Sequence, residues 1–143
     1  MKFAYPFSGN VAPSQLFGEN PDFYSSMNLA GHNGIDFPLP VGTEILAVDA
    51  GRVLWVKMDE EGFGLHVKIE HPHGWSLYAH LSEVSVQADA SVQAGSVIGL
   101  SGNTGMSTGP HLHFGYKPKD YDDANGYFGY IDPQPFLCHS QTS

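Results

Sequence analysis

The chain has 143 residues, 41% of them hydrophobic and 13% aromatic, a balance that suits one folded domain with a real core and excludes a disordered polymer. A formal charge of −9 with histidine neutral excludes a broad basic face for DNA, RNA or an anionic membrane, and argues against simple electrostatic attraction to anionic polymers. The single cysteine, Cys138, excludes an intrachain disulfide and reads as a small, partly buried apolar residue. No run is long and apolar enough to span a membrane. The start, Met1 to Phe7, has one lysine and no apolar h-region, so it does not read as a secretory signal. That implies a trimmed or internally started chain, or a protein that leaves its cell by another route.

Residues 1–30 are punctuated by Gly, Pro, Asn and Ser without a persistent period, which predicts a loop-rich N-terminal wrap. Short strand-like runs follow. Thr43 to Val48 and Gly51 to Lys57 are separated by Asp49-Ala50, a tight-turn signal. Gly64 to Glu70 alternates, with Leu65, Val67 and Ile69 on one face. Pro72-His73-Gly74 predicts a turn, and Trp75 to His80 the next strand; Ser96 to Ser101 and His111 to Tyr116 repeat the scheme. A helix-period stretch of useful length is absent, and Pro133 to Leu137 predicts at most one short helical turn. Strands at this spacing predict an all-β barrel or sandwich forming a single domain over 1–143, with 118–143 as a C-terminal loop and tail.

Three segments carry chemistry. His111 and His113 are two apart on a strand-like run, so their imidazoles share a face. His32 and Asp36 lie upstream, and His80 ends another run. Zinc takes nitrogen and oxygen ligands in a tetrahedron, and a catalytic site keeps one position open, so three protein ligands are wanted. His32, Asp36 and one of the 111/113 pair are the candidates. On a flat strand His32 and Asp36 would lie about 13 Å apart, too far for one ion, so a bend or bulge at Gly34 is required. The remaining histidines of the set would suit acid–base work, since imidazole titrates near neutrality. His66, His71, His73 and His139 read as surface or turn residues. The acidic run Asp120 to Asp123 fails as a calcium loop, because Ala124 and Ile131 occupy positions that need oxygen ligands.

With its context, the set resembles the lysostaphin/LytM-type zinc metalloendopeptidases, which cut peptides of bacterial peptidoglycan. The pattern is His-x-x-x-Asp, then Tyr-x-His, then His-x-His. It appears here as His32 to Asp36, Tyr78 to His80 and His111 to His113, within Gly-His-Asn-Gly-Ile-Asp-Phe, Tyr-Ala-His-Leu-Ser and Gly-Pro-His-Leu-His-Phe. The resemblance covers roughly residues 14–117. It implies a mostly antiparallel β-sheet or sandwich, with a barwin-like or lipoyl-like duplicated hairpin, little or no helix and a loop-walled groove. It also implies one Zn2+ per chain held by His32, Asp36 and His113, with His80 and His111 as non-ligand catalytic histidines. Which of those two is the general base stays open. The expected partner is a peptidoglycan peptide, with no nucleic acid, no membrane and a monomeric chain. The expected setting is the bacterial wall, extracellular or periplasmic, reached by a phage-encoded or a trimmed bacterial protein.

Two departures stand out. Relatives often place a tyrosine just before the first histidine as a transition-state stabiliser; here the nearest is Tyr24, and Ser25-Ser26-Met27-Asn28 intervene before the motif. Latent relatives close the metal's fourth position with an N-terminal asparagine, for which Asn10, Asn20 and Asn28 are candidates without a clear inhibitory arm. A non-enzymatic zinc-binding adaptor that regulates another wall hydrolase is the alternative function, weakened by the intact ligand set. A lipoyl-like carrier, suggested by Val48 to Gly51 and Val92 to Gly95, fails because neither hairpin tip offers a lysine. The bond cut is not legible in the sequence.

Overall fold

The computed structural model describes residues 2–138. In chain order the described elements are β1 (Phe3–Ala4), helix α1 (Pro21–Tyr24), a 3-10 turn (Ser25–Met27), β2 (Ile35–Phe37), β3 (Glu44–Leu46) and β4 (Gly51–Asp59). They continue with β5 (Gly64–His71), β6 (Gly74–Val84), β7 (Ser91–Val92), β8 (Val97–Ser101), β9 (Leu112–Pro118), a 3-10 turn (Gln134–Phe136) and β10 (Leu137–Cys138). The all-β expectation holds: α1 has four residues. The main sheet has eight strands in the order β2-β9-β6-β5-β4-β7, with β8 joining β6 and β3 joining β8, and its pairings are antiparallel. A second, two-stranded sheet pairs β1 and β10 in parallel.

Alternation along the central strands divides the sheet into two faces. Val53, Val67, Ile69, Tyr78, Phe114 and Tyr116 point inward and are fully buried. They meet Ile45 of β3, Ile98 of β8 and aromatic residues from the N-terminal segment. That segment is loop-rich as expected, yet Phe3 and Phe7 are core residues, with Phe3 edge-on to Tyr116 at 4.9 Å and Phe7 edge-on to Phe37 at 4.8 Å. Burying each such ring contributes roughly 1.5–3 kcal/mol, which ties the wrap to the sheet.

The runs 43–48 and 51–57 do form strands, but not with each other. β3 pairs with β8, and β4 pairs with β5 and β7. The Val48 amide instead donates to the buried Tyr78 hydroxyl at 3.0 Å. Two of the histidines expected at the surface are also buried. His66 is 6% exposed and His71 1%. His71 lies within a hydrogen-bonded chain, Nδ1 donating to the Ala50 carbonyl at 2.7 Å and Nε2 meeting the Ser76 hydroxyl at 2.7 Å. A ring whose two nitrogens are both satisfied is buried at little cost. His139 lies outside the described residues.

Long β6 carries the feature that shapes the site. Its edge pairs with β9 from Gly74 to Ala79 and with β8 from Leu81 to Val84. His80 sits at the switch between the two partners, with a left-handed φ of 63°. Regular alternation would send His80 inward, since its neighbour Ala79 faces outward opposite His113. The left-handed residue reverses that and turns the imidazole onto the outer face.

Candidate metal centre and cleft

Asp36 of β2 lies directly across from His113 of β9 in the sheet register. His32 precedes β2 in an extended turn, its amide donating to the Glu19 carbonyl and its own carbonyl accepting from Gly18. The required bend is therefore a turn leading into the strand rather than a bulge within it. Gly34 is needed there for space: a Cβ would stand 2.5 Å from the Phe114 carbonyl oxygen and 2.7 Å from the His113 ring.

These elements bring three donor atoms into a nearly equilateral triangle. His32 Nε2 lies 3.1 Å from His113 Nδ1 and 3.2 Å from Asp36 Oδ1, and His113 Nδ1 lies 3.1 Å from Asp36 Oδ1. Ligands about 2.0–2.1 Å from a tetrahedral zinc ion stand about 3.3–3.4 Å apart, so the residues present fit such a centre. The set is also electrostatically biased toward a cation. Burial raises the Asp36 carboxyl, but hydrogen bonds from His113 and His32 outweigh it and hold the group well below the usual carboxylate range. With His32 Nδ1 facing the Leu16 carbonyl at 3.3 Å, a neutral ring donating there would present its Nε2 lone pair to an ion in place of the hydrogen bond to Asp36. His113 Nε2 is buried with no hydrogen-bond partner, so packing alone fixes that side of the ring.

His80 and His111 flank the triangle. Their rings are 4.7 Å apart, and His80 stands 6.2 Å from the His113 ring. Each is oriented through Nδ1: His80 donates to the Thr104 carbonyl at 2.7 Å and His111 to the Gly109 carbonyl at 2.8 Å. Both Nε2 lone pairs are thereby free for proton traffic, and His111 Nε2 faces the second oxygen of Asp36 at 3.6 Å. Burial, reinforced by the neighbouring His113 and His111, lowers His80 from 6.5 to about 4, so its imidazole is neutral at pH 7.

A cleft of about 700 Å³ opens over these groups. Tyr24 lines it, stacked on His32 at 5.4 Å, with its hydroxyl accepting from Gln15 Nε2 at 2.8 Å. Burial and the Asp36 charge push the phenol up to about 12, so it stays protonated. Of the three asparagines considered, Asn20 lines the cleft, but its amide donates to Gln15 Oε1 at 2.7 Å. In the sequence Gln15 has no assigned role, and Thr104 lies in the polar loop 101–109, which reads there only as a flexible turn or as groove lining. Gln15 touches Tyr24 and reaches Asp36 Oδ2 at 3.4 Å. Thr104 orients His80 and, through its hydroxyl, bonds Leu65 and Leu81. Neither carries a sequence signal of its own, because each acts through a contact between segments distant in the chain.

A second group with metal-compatible donors, Asp49, His71 and His73, lies away from the cleft. Its nitrogens are committed to protein partners, His73 to Asp49 at 2.9 Å and to the Tyr116 hydroxyl at 2.9 Å. The acidic loop at Asp120 to Asp123 is exposed and gives no such group among the described residues. Cys138 is partly buried and free.

An antiparallel sheet carrying Asp36 and His113 on one face, with His32 brought beside them by the turn into β2 and two further histidines next to the three, defines a metallohydrolase-type domain. The model of peptidase family M23 matches residues 30–125, and the chain belongs to that family. It is 49% identical over 84 residues to the DD-carboxypeptidase/endopeptidase Mpg of Neisseria meningitidis serogroup B, covering 58% of this chain and 19% of that protein. It is 35% identical over 115 residues to the glycyl-glycine endopeptidase ALE-1 of Staphylococcus capitis, covering 78% of this chain and 30% of that one. The chain thus spans less than a third of the length of these curated relatives. Among solved structures, the lysostaphin catalytic domain from Staphylococcus simulans superposes with a TM-score of 0.75 at 29% identity, covering 89% of this chain and 92% of that one. A zinc-containing peptidase from Vibrio cholerae gives 0.75 at 28% identity, over 92% of this chain and 39% of that one.

Proposed function

We propose that residues 1–143 act as one zinc-dependent endopeptidase domain that hydrolyses peptide cross-links or stem peptides of bacterial peptidoglycan. The observation that carries this reading is the donor triangle of His32, Asp36 and His113 beside two histidines whose Nε2 atoms face the same cleft. Membership of a peptidase family, and relatives named as a DD-carboxypeptidase/endopeptidase and a glycyl-glycine endopeptidase, support peptide-bond hydrolysis of this kind. His32 Nε2, Asp36 Oδ1 and His113 Nδ1 would hold the ion. Bound there, zinc polarises the scissile carbonyl and acidifies water. One of His80 and His111 takes the proton of the attacking water through Nε2. The other hydrogen-bonds the developing oxyanion or protonates the departing amine. Tyr24, protonated at working pH, donates a further hydrogen bond to the oxyanion. Gln15 holds its hydroxyl in place. The protein works as a monomer at the wall, extracellularly or in the periplasm. Among the described residues no helix is long and apolar enough to cross a membrane.

The test is digestion of purified peptidoglycan and of muropeptides of defined chemistry by the zinc-loaded protein, with products read by mass spectrometry. New free amines at one peptide position, lost in His111→Ala, are expected. Intact muropeptides after exhaustive incubation, or full activity in His111→Ala, would refute the assignment. An intact protein that cleaves nothing but binds a wall amidase would instead fit the adaptor.

A further inference from the structure

The outer face of the sheet does not end at the metal centre. In β9, His113, Gly115 and Lys117 alternate on that face. The register sets Trp75 of β6 opposite Lys117, Lys68 of β5 opposite Leu77, and Trp55 of β4 opposite Lys68. The face that carries His113 therefore also carries Lys117, Trp75, Lys68 and Trp55. Lys117 is four residues from His113, about 13 Å along the strand. Between them the buried Tyr130 packs over Gly115, where a Cβ would lie 3.1 Å from its ring.

Beyond Tyr130, ammonium groups and aromatic rings interleave. Lys57 sits 3.9 Å from the Trp55 ring centroid, and Lys68 lies 5.0 Å from Trp55 and 5.8 Å from Trp75. Lys117 sits 3.9 Å from the ring centroid of Tyr121, which itself meets Trp75 edge-on at 6.0 Å. With Lys119, placed 5.4 Å from Trp75, this shelf gathers four of the six basic residues of a chain whose formal charge is −9. Lys119 and Arg52 share Glu70, but Lys57, Lys68 and Lys117 make no ion pair among the described residues. Burial, and then the charges of Lys117 and Lys57, lower Lys68 to about 8. Folding thus concentrates like charge on one face at a cost, and an anion placed there would relieve it.

We propose that this shelf binds the glycan strand of peptidoglycan, its sugar rings stacking on Trp75 and Tyr121 and the carboxylates of its attached peptides meeting Lys68 and Lys117. Ammonium groups give strong charge-assisted hydrogen bonds to carboxylates, and flat aromatic faces receive the apolar faces of sugar rings. One polymer lying along the sheet would then be gripped at the shelf while a peptide branch reaches the metal cleft. The net charge repels anionic polymers from the molecule as a whole, so this local reversal of sign sets where, and in which direction, a strand can dock. A single-stranded nucleic acid would use similar chemistry, but the overall charge opposes it.

The proposal rests on the wall-hydrolase reading, and its test is separable from it because binding is measured on zinc-free protein. Co-sedimentation with purified sacculi is compared for wild type, Lys68→Gln/Lys117→Gln and Lys68→Arg/Lys117→Arg. The glutamine pair should need roughly tenfold more sacculi for half-maximal pelleting, with melting and zinc uptake retained, and the arginine pair should bind like wild type. Equal pelleting of the glutamine pair overturns the shelf. So does loss of wild-type binding when attached phosphate polymers are stripped from the sacculi, or tighter binding to a single-stranded oligonucleotide than to sacculi. Wild-type protein that pellets as expected but cleaves no muropeptide would refute the hydrolase reading and leave the shelf standing.

Discussion

Replacing Gly34 by alanine probes how the fold builds the metal centre without touching a ligand. The backbone at Gly34 needs no left-handed conformation, so the effect of the substitution is steric. The new methyl would stand 2.7 Å from two atoms of the His113 ring and 2.5 Å from the Phe114 carbonyl oxygen, where ordinary contact begins at 3.4 Å. Retreat of the ring by roughly 0.7 Å relieves only the side-chain clash; the Phe114 carbonyl is backbone, so the turn carrying His32 must also move back by roughly 0.9 Å, at about 1–3 kcal/mol of stability, as overpacking costs. His113 Nε2 has no hydrogen bond on the side the methyl would enter, so packing alone resists displacement of the ring. Zinc–ligand distances tolerate about 0.2 Å, so the donor triangle opens beyond what one ion accepts. The expected loss of zinc affinity is about 10- to 100-fold, the range seen when groups supporting a ligand are disturbed. Competition titration against a chromophoric chelator measures it, with thermal melting of the metal-free protein as the companion. A Gly34→Ala protein that binds zinc as tightly as wild type would refute the close-approach argument.

Tyr24→Phe should leave zinc content unchanged and lower kcat by about 100-fold or more with little change in KM, because it deletes one donor to the oxyanion; an unchanged kcat would make Tyr24 a packing aromatic. Gly105→Ala places a methyl against the Gly62 and Gly64 backbone at a left-handed φ of 75° and should cost about 1–3 kcal/mol, with activity falling further because the adjacent Thr104 carbonyl orients His80; melting and turnover read the two effects separately. Burial lowers His71 below its ordinary 6.5 despite its hydrogen bond to Ala50. The unfolded chain then binds a proton that the folded one refuses, so this contribution is complete above about pH 6.5 and is lost as the pH falls toward the depressed value. Urea unfolding of zinc-free protein from pH 7.5 to 5 should show that decline, and His71→Gln should make it shallower, with the depressed His80 and His113 supplying the remainder; parallel pH profiles for the two proteins would refute the assignment.

Much of the fold was legible because the central strands obey a period of two. Val67 and Ile69 are read correctly as inward, and the 111/113 pair does share a face with Asp36. The N-terminal wrap was legible as loop but not as core, because Phe3 and Phe7 pack through contacts with residues far along the chain. Strand partners were not legible: adjacency of runs 43–48 and 51–57 implied nothing about β3 pairing with β8. His80 shows the limit most clearly. Its place in the Tyr-x-His motif singled it out, but the left-handed kink that turns it outward depends on β6 exchanging β9 for β8, which no local pattern encodes. The buried His66 and His71 were misread for a related reason, since the groups that satisfy His71, the Ala50 carbonyl and Ser76, become its neighbours only through folding. The lysine–aromatic shelf was hidden likewise, its members being scattered over four strands and a loop.

The division of labour between His111 and His113 is the centre of the account, and metal stoichiometry tests it most directly. Zinc per chain should be measured by mass spectrometry after dialysis for His32→Ala, Asp36→Ala, His113→Ala, His80→Ala and His111→Ala. About one zinc per chain is expected in the last two and strong depletion in the first three. Retention of zinc by His113→Ala, or its loss from His111→Ala, would contradict it.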